Sequence, residues 1–417
     1  MDFKTPPKRT FNQDVRRSPG VNPNQTPESV TPPEQPVEPK FPGLVPDEPK
    51  EIDKSEPPRE DLRITPAPER RSRKRLFILI GIAVALLIAA GAVYWFVLKP
   101  KKQVDQVTPV ATKTEVKKAV VVKPTSPLTG VTLTDATLAK RPVTGIMIEN
   151  SPDARPQSGL TDAGVVYEAI AEGGITRFLA VFQDSKPNYI GPVRSARPYY
   201  IDFVAPYDAG YGHVGGSPQA LSDIKSLGIK DLDQFYNGDS YVRVSERYAP
   251  HNVYTGFDKL DKLNQSKGYT TSTFTAFKRK VDVPQTPTAS TIDFAISSPL
   301  YSPHYVYDAA TNTYKRSQGG EAHIDAKSKQ QIAPKVVIAL VMDKSYDPDG
   351  YHTDYKTTGS GKMYVFQDGI VSEGTWAKSD RKSQFEFTDK NGLPMKLNAG
   401  QTWISVVANQ SDVTYKP

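Results

Sequence analysis

From Leu76 to Leu98 the chain runs 23 residues without a charge, LFILIGIAVALLIAAGAVYWFVL, bounded by RKR before it and KPKK after it. About 20 apolar residues at roughly 1.5 Å rise cross the hydrocarbon core of a bilayer, so the segment is expected to form a transmembrane helix, with Tyr94, Trp95 and Phe96 in the far headgroup belt. Arg70, Arg71, Arg73, Lys74 and Arg75 precede it, against Lys99, Lys101 and Lys102 after it. That bias leaves the N-terminus in the cytoplasm and everything beyond Leu98 outside. An apolar core this long, this far into the chain and without a small-x-small cleavage site reads as an uncleaved single-pass anchor rather than a signal peptide.

The chain has no cysteine, which excludes disulfides, thiolate metal sites and cysteine nucleophiles. Its net charge of +7 over 417 residues is modest and partly carried by a lysine-rich stretch, so no nucleic-acid partner is expected. Residues 1–69 hold 16 of the 37 prolines with few aromatics, a composition that cannot bury enough apolar surface to offset chain entropy. They read as a disordered cytoplasmic tail. Residues 99–127 carry seven lysines against Asp105 and Glu115 and read as a basic linker at the outer membrane face.

Ordered patterning begins near Leu128. RPVTGIMIEN (141–150) has the pattern of a buried strand, and VVYEAIAEGGITRFLAVFQD (165–184) that of two strands joined at Gly173-Gly174. Another apolar run follows at Tyr211. A helix entered at Pro198 is expected to bury Tyr199, Ile201, Phe203 and Val204. A second has Ser217 as its cap, Pro218 in its first turn, Ala220, Leu221, Ile224 and Leu227 on its apolar face and Gly228 beyond its end. After a Thr- and Pro-rich boundary near 283–290 the texture is strand-like, with hairpin signals at Asp368-Gly369 and Asn391-Gly392. The fold class expected is α+β: an α+β sub-domain over 128–285 followed by an antiparallel β sub-domain over 290–417.

ENSPDARPQSGL, VVYEAIAEGGITRFLAVF, IGPVRSARPYYIDF, HVGGSPQALSDIKSLGI and APHNVY, in this order, resemble the YerB-like family of bacterial lipoproteins, a family defined by a domain of unknown function. The resemblance covers about 128–417 and implies a bacterial, extracytoplasmic, membrane-attached protein of two sub-domains. It implies no reaction. The chain departs from a lipoprotein in having no cysteine to lipidate, so Leu76–Leu98 would take the place of the lipid anchor.

Within those blocks Arg155, Arg177, Arg194 and Arg197 fall in Gly/Pro-punctuated turns, and Gly215, Gly216 and Ser217 open a helix. Guanidinium forks and a helix start favour anions, so together with His213, His251 and Asn252 they make a candidate phosphate or carboxylate pocket. The same arginines can instead pair with Glu149, Glu168, Glu172 and Asp202 as structural salt bridges. Glu168 and Glu172, four apart on a strand, would share a face, and with Asp202 and Asp223 they offer the paired carboxylates of glycoside hydrolysis. Ser217 beside His213 lacks the nucleophile-elbow pattern. The five histidines have no metal-ligand spacing, and no cofactor is expected. Tyr305, Tyr307, Tyr314, Trp376 and Trp403 can either stack on sugars or fill a β core. The function expected is capture of an anionic envelope ligand in a cleft of the first sub-domain; the alternatives are an envelope glycan hydrolase and a scaffold for envelope proteins. The partners expected are accordingly the membrane, through Leu76–Leu98, and an anionic ligand or another envelope protein.

Overall fold

The computed structural model describes residues 123–417. The expected anchor, Leu76–Leu98, the tail 1–69 and all but the end of the linker lie outside those residues. Among the described residues no helix is long and apolar enough to cross a membrane.

The first half is built from β1 (Thr144–Glu149), β2 (Val165–Glu172), β3 (Ile175–Phe182), α1 (Pro198–Val204), β4 (Gly210–His213), α2 (Pro218–Ser226), β5 (Lys230–Asp233) and α3 (Phe257–Ser266). β2 and β3 form the expected hairpin, with Gly173 and Gly174 at φ +56° and +75° supplying the left-handed turn that only glycine adopts freely. In α2 the Ser217 hydroxyl accepts from the Ala220 N–H, Pro218 stands in the first turn and Gly228 follows the helix at φ +62°. Its Ala220 and Ile224 are buried, with Leu221 and Leu227 packed at the edge of the core. Residues Tyr199–Val204 of α1 are all buried, which makes it an interior helix rather than a one-faced one.

The second half contributes β6 (Thr291–Phe294), β7 (Pro303–Asp308), β8 (Thr313–Gln318), β9 (Val336–Val341), β10 (Gly359–Gln367), β11 (Ile370–Lys378), β12 (Glu386–Asp389), β13 (Thr402–Val407) and β14 (Val413–Lys416). Asp368 and Gly369, at φ +58° and +80°, close the β10–β11 hairpin. The segment at Asn391-Gly392 turns the chain back so that Met395 N–H donates to Phe387 C=O at 2.8 Å.

These strands do not sort into two sheets by half. A ten-stranded sheet has the order β12-β11-β10-β9-β13-β2-β3-β1-β4-β5, so it draws five strands from each half. Its centre corrects the expectation of an antiparallel second sub-domain: β13 runs parallel to both β9 and β2. The reason is burial. Thr402–Val407 is covered on both faces, as strands in parallel surroundings are, and it reaches its place between β9 and β2 only after the chain has passed through the rest of the second half. A five-stranded sheet, in which β8-β7-β6-β14 is extended by Glu321–Ala322, is wholly antiparallel. The described residues are mostly β, with few helices, and one continuous apolar core runs from Leu128 to Val413.

Candidate functional site

β1, β4 and β5 are parallel neighbours and end on Glu149, His213 and Asp233. Ligands of open sheets gather beyond the carboxyl ends of parallel strands, where the following loops carry side chains without breaking the ladder. Here the segment 192–197 lies across those ends. Arg194 N–H donates to Met147 C=O at 3.0 Å, Val214 N–H to Arg194 C=O at 3.1 Å, and Ala196 N–H to Gly215 C=O at 2.9 Å. On its other side Val193 N–H donates to Val253 C=O at 2.7 Å, which brings in the turn that carries His251.

Glu149 organises this shelf from beneath, with its side chain only 3% exposed. Its Oε1 accepts from Ser151 Oγ at 2.8 Å, lies 2.9 Å from His251 Nδ1 and is 3.2 Å from Arg194 Nε. A carboxylate only accepts, so it assigns the ring proton to Nδ1 and leaves His251 Nε2 outside the cluster, 4.0 Å from the exposed Asp153 carboxylate. Among the described residues no protein group accepts from Arg194 Nη1 or Nη2, and that side chain is 23% exposed. The arrangement presents a guanidinium edge and an imidazole nitrogen held by a buried anion. Ser151 Oγ is 3.3 Å from the same Nδ1, so serine and carboxylate share one ring nitrogen, and the geometry is not that of a nucleophile facing its base.

The other arginines of the expected pocket are spent on protein acceptors. Arg155 donates to Asn150 Oδ1 and C=O and to Leu300 C=O, at 3.0–3.1 Å, and stacks over Tyr301. Arg177 is buried, paired with Glu172 and bonded to Ser195 C=O; burial pulls its pKa below the usual arginine value, with Glu172 opposing. Arg197 holds Glu172 Oε2 through Nε at 3.1 Å and Nη2 at 2.7 Å. The helix start is occupied too. Gly215 N–H donates to Asp233 Oδ1 at 2.8 Å, and buried His213 sits between Gly215 C=O at 2.8 Å and Asp231 Oδ1 at 3.1 Å. Burial pushes the Asp231 carboxyl up, but the hydrogen bond and charge of His213 prevail and hold it below the usual range. Asn252 accepts from Arg243. The structure therefore gathers Arg194, His251 and the Gly215–Ser217 turn, while Arg155, Arg177 and Arg197 act as structural partners.

The carboxylates proposed for glycoside hydrolysis are each held by an arginine. A register shift between Ile170 and Glu172 breaks the period of two on which their common face rested. Glu172 turns to Arg177 and Arg197, whereas Glu168, fully buried, takes both oxygens to Arg316 Nη2 at 2.9 and 3.1 Å and accepts from Trp403 and Ser405. Asp202 and Asp223 share Arg381, Asp202 through Nε and Asp223 through Nη2. Arg316 and Arg381 are the residues that sequence reasoning missed. A signal existed for the first: alternation along β8 puts Arg316 on the buried face of Tyr314, although its charge argued for solvent.

Tyr305, Tyr314, Trp376 and Trp403 are buried and Tyr307 half-buried, so these aromatics form core and not a sugar platform. A cavity of about 670 Å³ lies elsewhere, between the extended segment Thr273–Lys278 and the edge strand β12. Phe277, Phe387 and Leu397 line it, and none of the residues converging on Glu149 does. The convergent ionisable side chains lie on the open shelf, so the shelf and not this cavity is the candidate site.

Residues 128–270 match the N-terminal domain, and 292–404 the C-terminal domain, of a family described as a protein of unknown function, DUF3048. YerB of Bacillus subtilis (strain 168), named as a candidate lipoprotein, is 32% identical over 288 residues, covering 68% of this chain and 86% of YerB. The crystal structure of the YerB protein from Bacillus subtilis superposes with a TM-score of 0.65 at 30% identity, covering 71% of this chain and all of that one.

Proposed function

This chain belongs to the DUF3048 family, and we propose that within it the shelf over Glu149 binds an anionic ligand of the cell envelope, such as a lipid-linked or wall-polymer phosphate. The observation that carries the reading is Arg194: a guanidinium in ion-pair contact with a buried carboxylate, 3.2 Å from Nε without a hydrogen bond, with both terminal nitrogens unclaimed among the described residues. A fork held this way loses little side-chain freedom on meeting two oxygens of a phosphate or carboxylate. His251 Nε2, the ring nitrogen without the proton, stands beside it as an acceptor for a ligand hydroxyl, the Ser151 hydroxyl is already given to Glu149, and Asp153 at the rim must give way to an incoming anion. The name of YerB supports a membrane-attached, extracytoplasmic placement, with Leu76–Leu98 as the anchor of this chain. The two family segments, 128–270 and 292–404, support a division of the body near 283–290, although their strands share one sheet.

The test is a thermal shift of the detergent-solubilised full chain with inorganic phosphate and with glycerol phosphate. Ligand at a hundredfold excess over its dissociation constant adds about 2.7 kcal/mol, a rise of several degrees. Arg194→Gln is expected to remove the shift, and Arg194→Lys to keep only part of it, because a point charge replaces a fork. An undiminished shift in Arg194→Gln overturns the reading. The Glu149–His251 pair also supports a second reading, turnover of the bound ester with Nε2 as base, and release of free phosphate from glycerol phosphate in the same samples reports it.

A further inference from the structure

We propose that the anion is carried on a saccharide whose rings lie on the exposed aromatic faces that border the shelf, Phe235 and Tyr236 on one side and Tyr248 on the other; this rests on the anion-binding reading above. Phe235, Tyr236 and Tyr248 are 69%, 83% and 64% exposed, well beyond what a core or a capped turn requires of an aromatic side chain. Their positions are tied to the site by backbone. Gln234 N–H donates to His213 C=O at 2.9 Å, and Phe235 N–H shares Asp233 Oδ1 with Gly215 N–H. The Phe235 ring lies against Gly215, where an added Cβ would stand 2.7 Å from Cε2. Gly215 in turn pairs with Ala196, two residues from Arg194. On the far side Tyr248 meets the His251 ring edge-on at 5.3 Å between centroids. The aromatics thus flank the cationic centre.

Their surroundings fit sugar better than protein. Phe235 and Tyr236 stand next to each other in a turn that also carries Gln234, Asn237, Asp239 and Ser240, so hydrogen-bonding groups accompany the apolar faces in that turn. A lipid phosphate presents charge to Arg194 but no ring for Phe235 or Tyr236.

The experiment measures binding to the detergent-solubilised full chain of three probes: inorganic phosphate, N-acetylglucosamine 1-phosphate, and phosphatidylglycerol in vesicles of phosphatidylcholine. The sugar phosphate is expected to bind about tenfold more tightly than phosphate, and the Phe235→Ala, Tyr236→Ala double variant to lose that advantage while its phosphate affinity is unchanged. Both side chains are at the surface, and an unaltered melting temperature confirms that the variant is folded; Tyr248→Ala is expected to lose part of the same advantage. If phosphate binds but the sugar adds nothing, or the double variant keeps the advantage, the saccharide inference falls and the anion site stands. Preference for the vesicles over the sugar phosphate overturns it in favour of a lipid headgroup. If none of the probes binds, the anion reading itself has failed and takes this inference with it.

Discussion

Arg316 is fully buried, 4.7 Å above the Trp403 ring, and its charge is balanced only by Glu168. A buried ion pair persists where its remaining polar atoms are satisfied, and here neighbours are recruited to both terminal nitrogens of Arg316, leaving only Nε without a partner among the described residues. Arg316 Nη1 donates to Gln318 Oε1 at 2.9 Å and to His323 Nδ1, so the ring proton belongs on Nε2, which donates to Gln157 Oε1 at 2.9 Å. Gln157 Nε2 then donates to Glu149 C=O at 2.9 Å, and the network ends under the candidate site. His323 must stay neutral to accept from arginine. Burial, reinforced by the charges of Arg316 and Arg155, pushes its pKa well below the ordinary value. The sign follows directly. The unfolded chain takes up a proton at this histidine near pH 6.5 and the folded chain does not, so the stability it contributes is complete above about pH 6.5 and is lost as the pH falls toward its folded value, by at most about 1.4 kcal/mol per pH unit. His323→Gln can accept from Arg316 and donate to Gln157 without titrating. Urea melts between pH 7 and 5 are expected to show a shallower loss for this variant than for the parent chain, and parallel slopes would exclude a neutral His323 in the fold.

At the scale of elements, what local sequence encodes appears where it was read. The β2–β3 and β10–β11 hairpins are specified by two glycines or Asp-Gly between strands, and α2 by its Ser-Pro start and its glycine end. The Gly215 turn shows what local reading cannot supply. A Gly-Gly-Ser-Pro start reads as an open anion site, yet Asp233 fills it, and that carboxylate arrives on a neighbouring strand 18 positions along. Gly215 is at φ +56°, so alanine there is strained whatever space it finds, by about 1 kcal/mol, and its Cβ also meets Phe235. A double-mutant cycle separates the two effects. Gly215→Ala is expected to destabilise the chain by 1 kcal/mol or somewhat more, and by less in a Phe235→Ala background, the difference being the displacement of the ring. Equal costs in both backgrounds would mean that the exposed ring moves aside freely.

At the scale of the whole molecule, the partners that decide both fold and site are distant in sequence. Glu168 and Trp403 are 235 residues apart and hydrogen-bonded, and nothing in either segment's own pattern names the other. Periodicity identifies VVYEAI and TWISVV as buried strands; it does not say that the second lies parallel to the first and between the two halves. For the same reason the sequence offered four arginines without showing that Glu172 would claim two of them and leave Arg194 with open nitrogens. The consequence is cooperative folding. Residues 123–285 made alone leave β2 with a bare edge where β13 should pair, on a strand that is buried in the whole protein, and residues 286–417 alone leave β13 unpartnered on one side. They also separate Glu168 from Arg316, placing one uncompensated charge in each fragment's interior. Each fragment is therefore expected to aggregate or remain unfolded on its own, and calorimetry of 123–417 to show one transition whose calorimetric and van't Hoff enthalpies agree. Two separable transitions, or a fragment that melts cooperatively by itself, would show that the shared sheet joins two bodies already stable alone and that β13 adds contact without adding cooperativity.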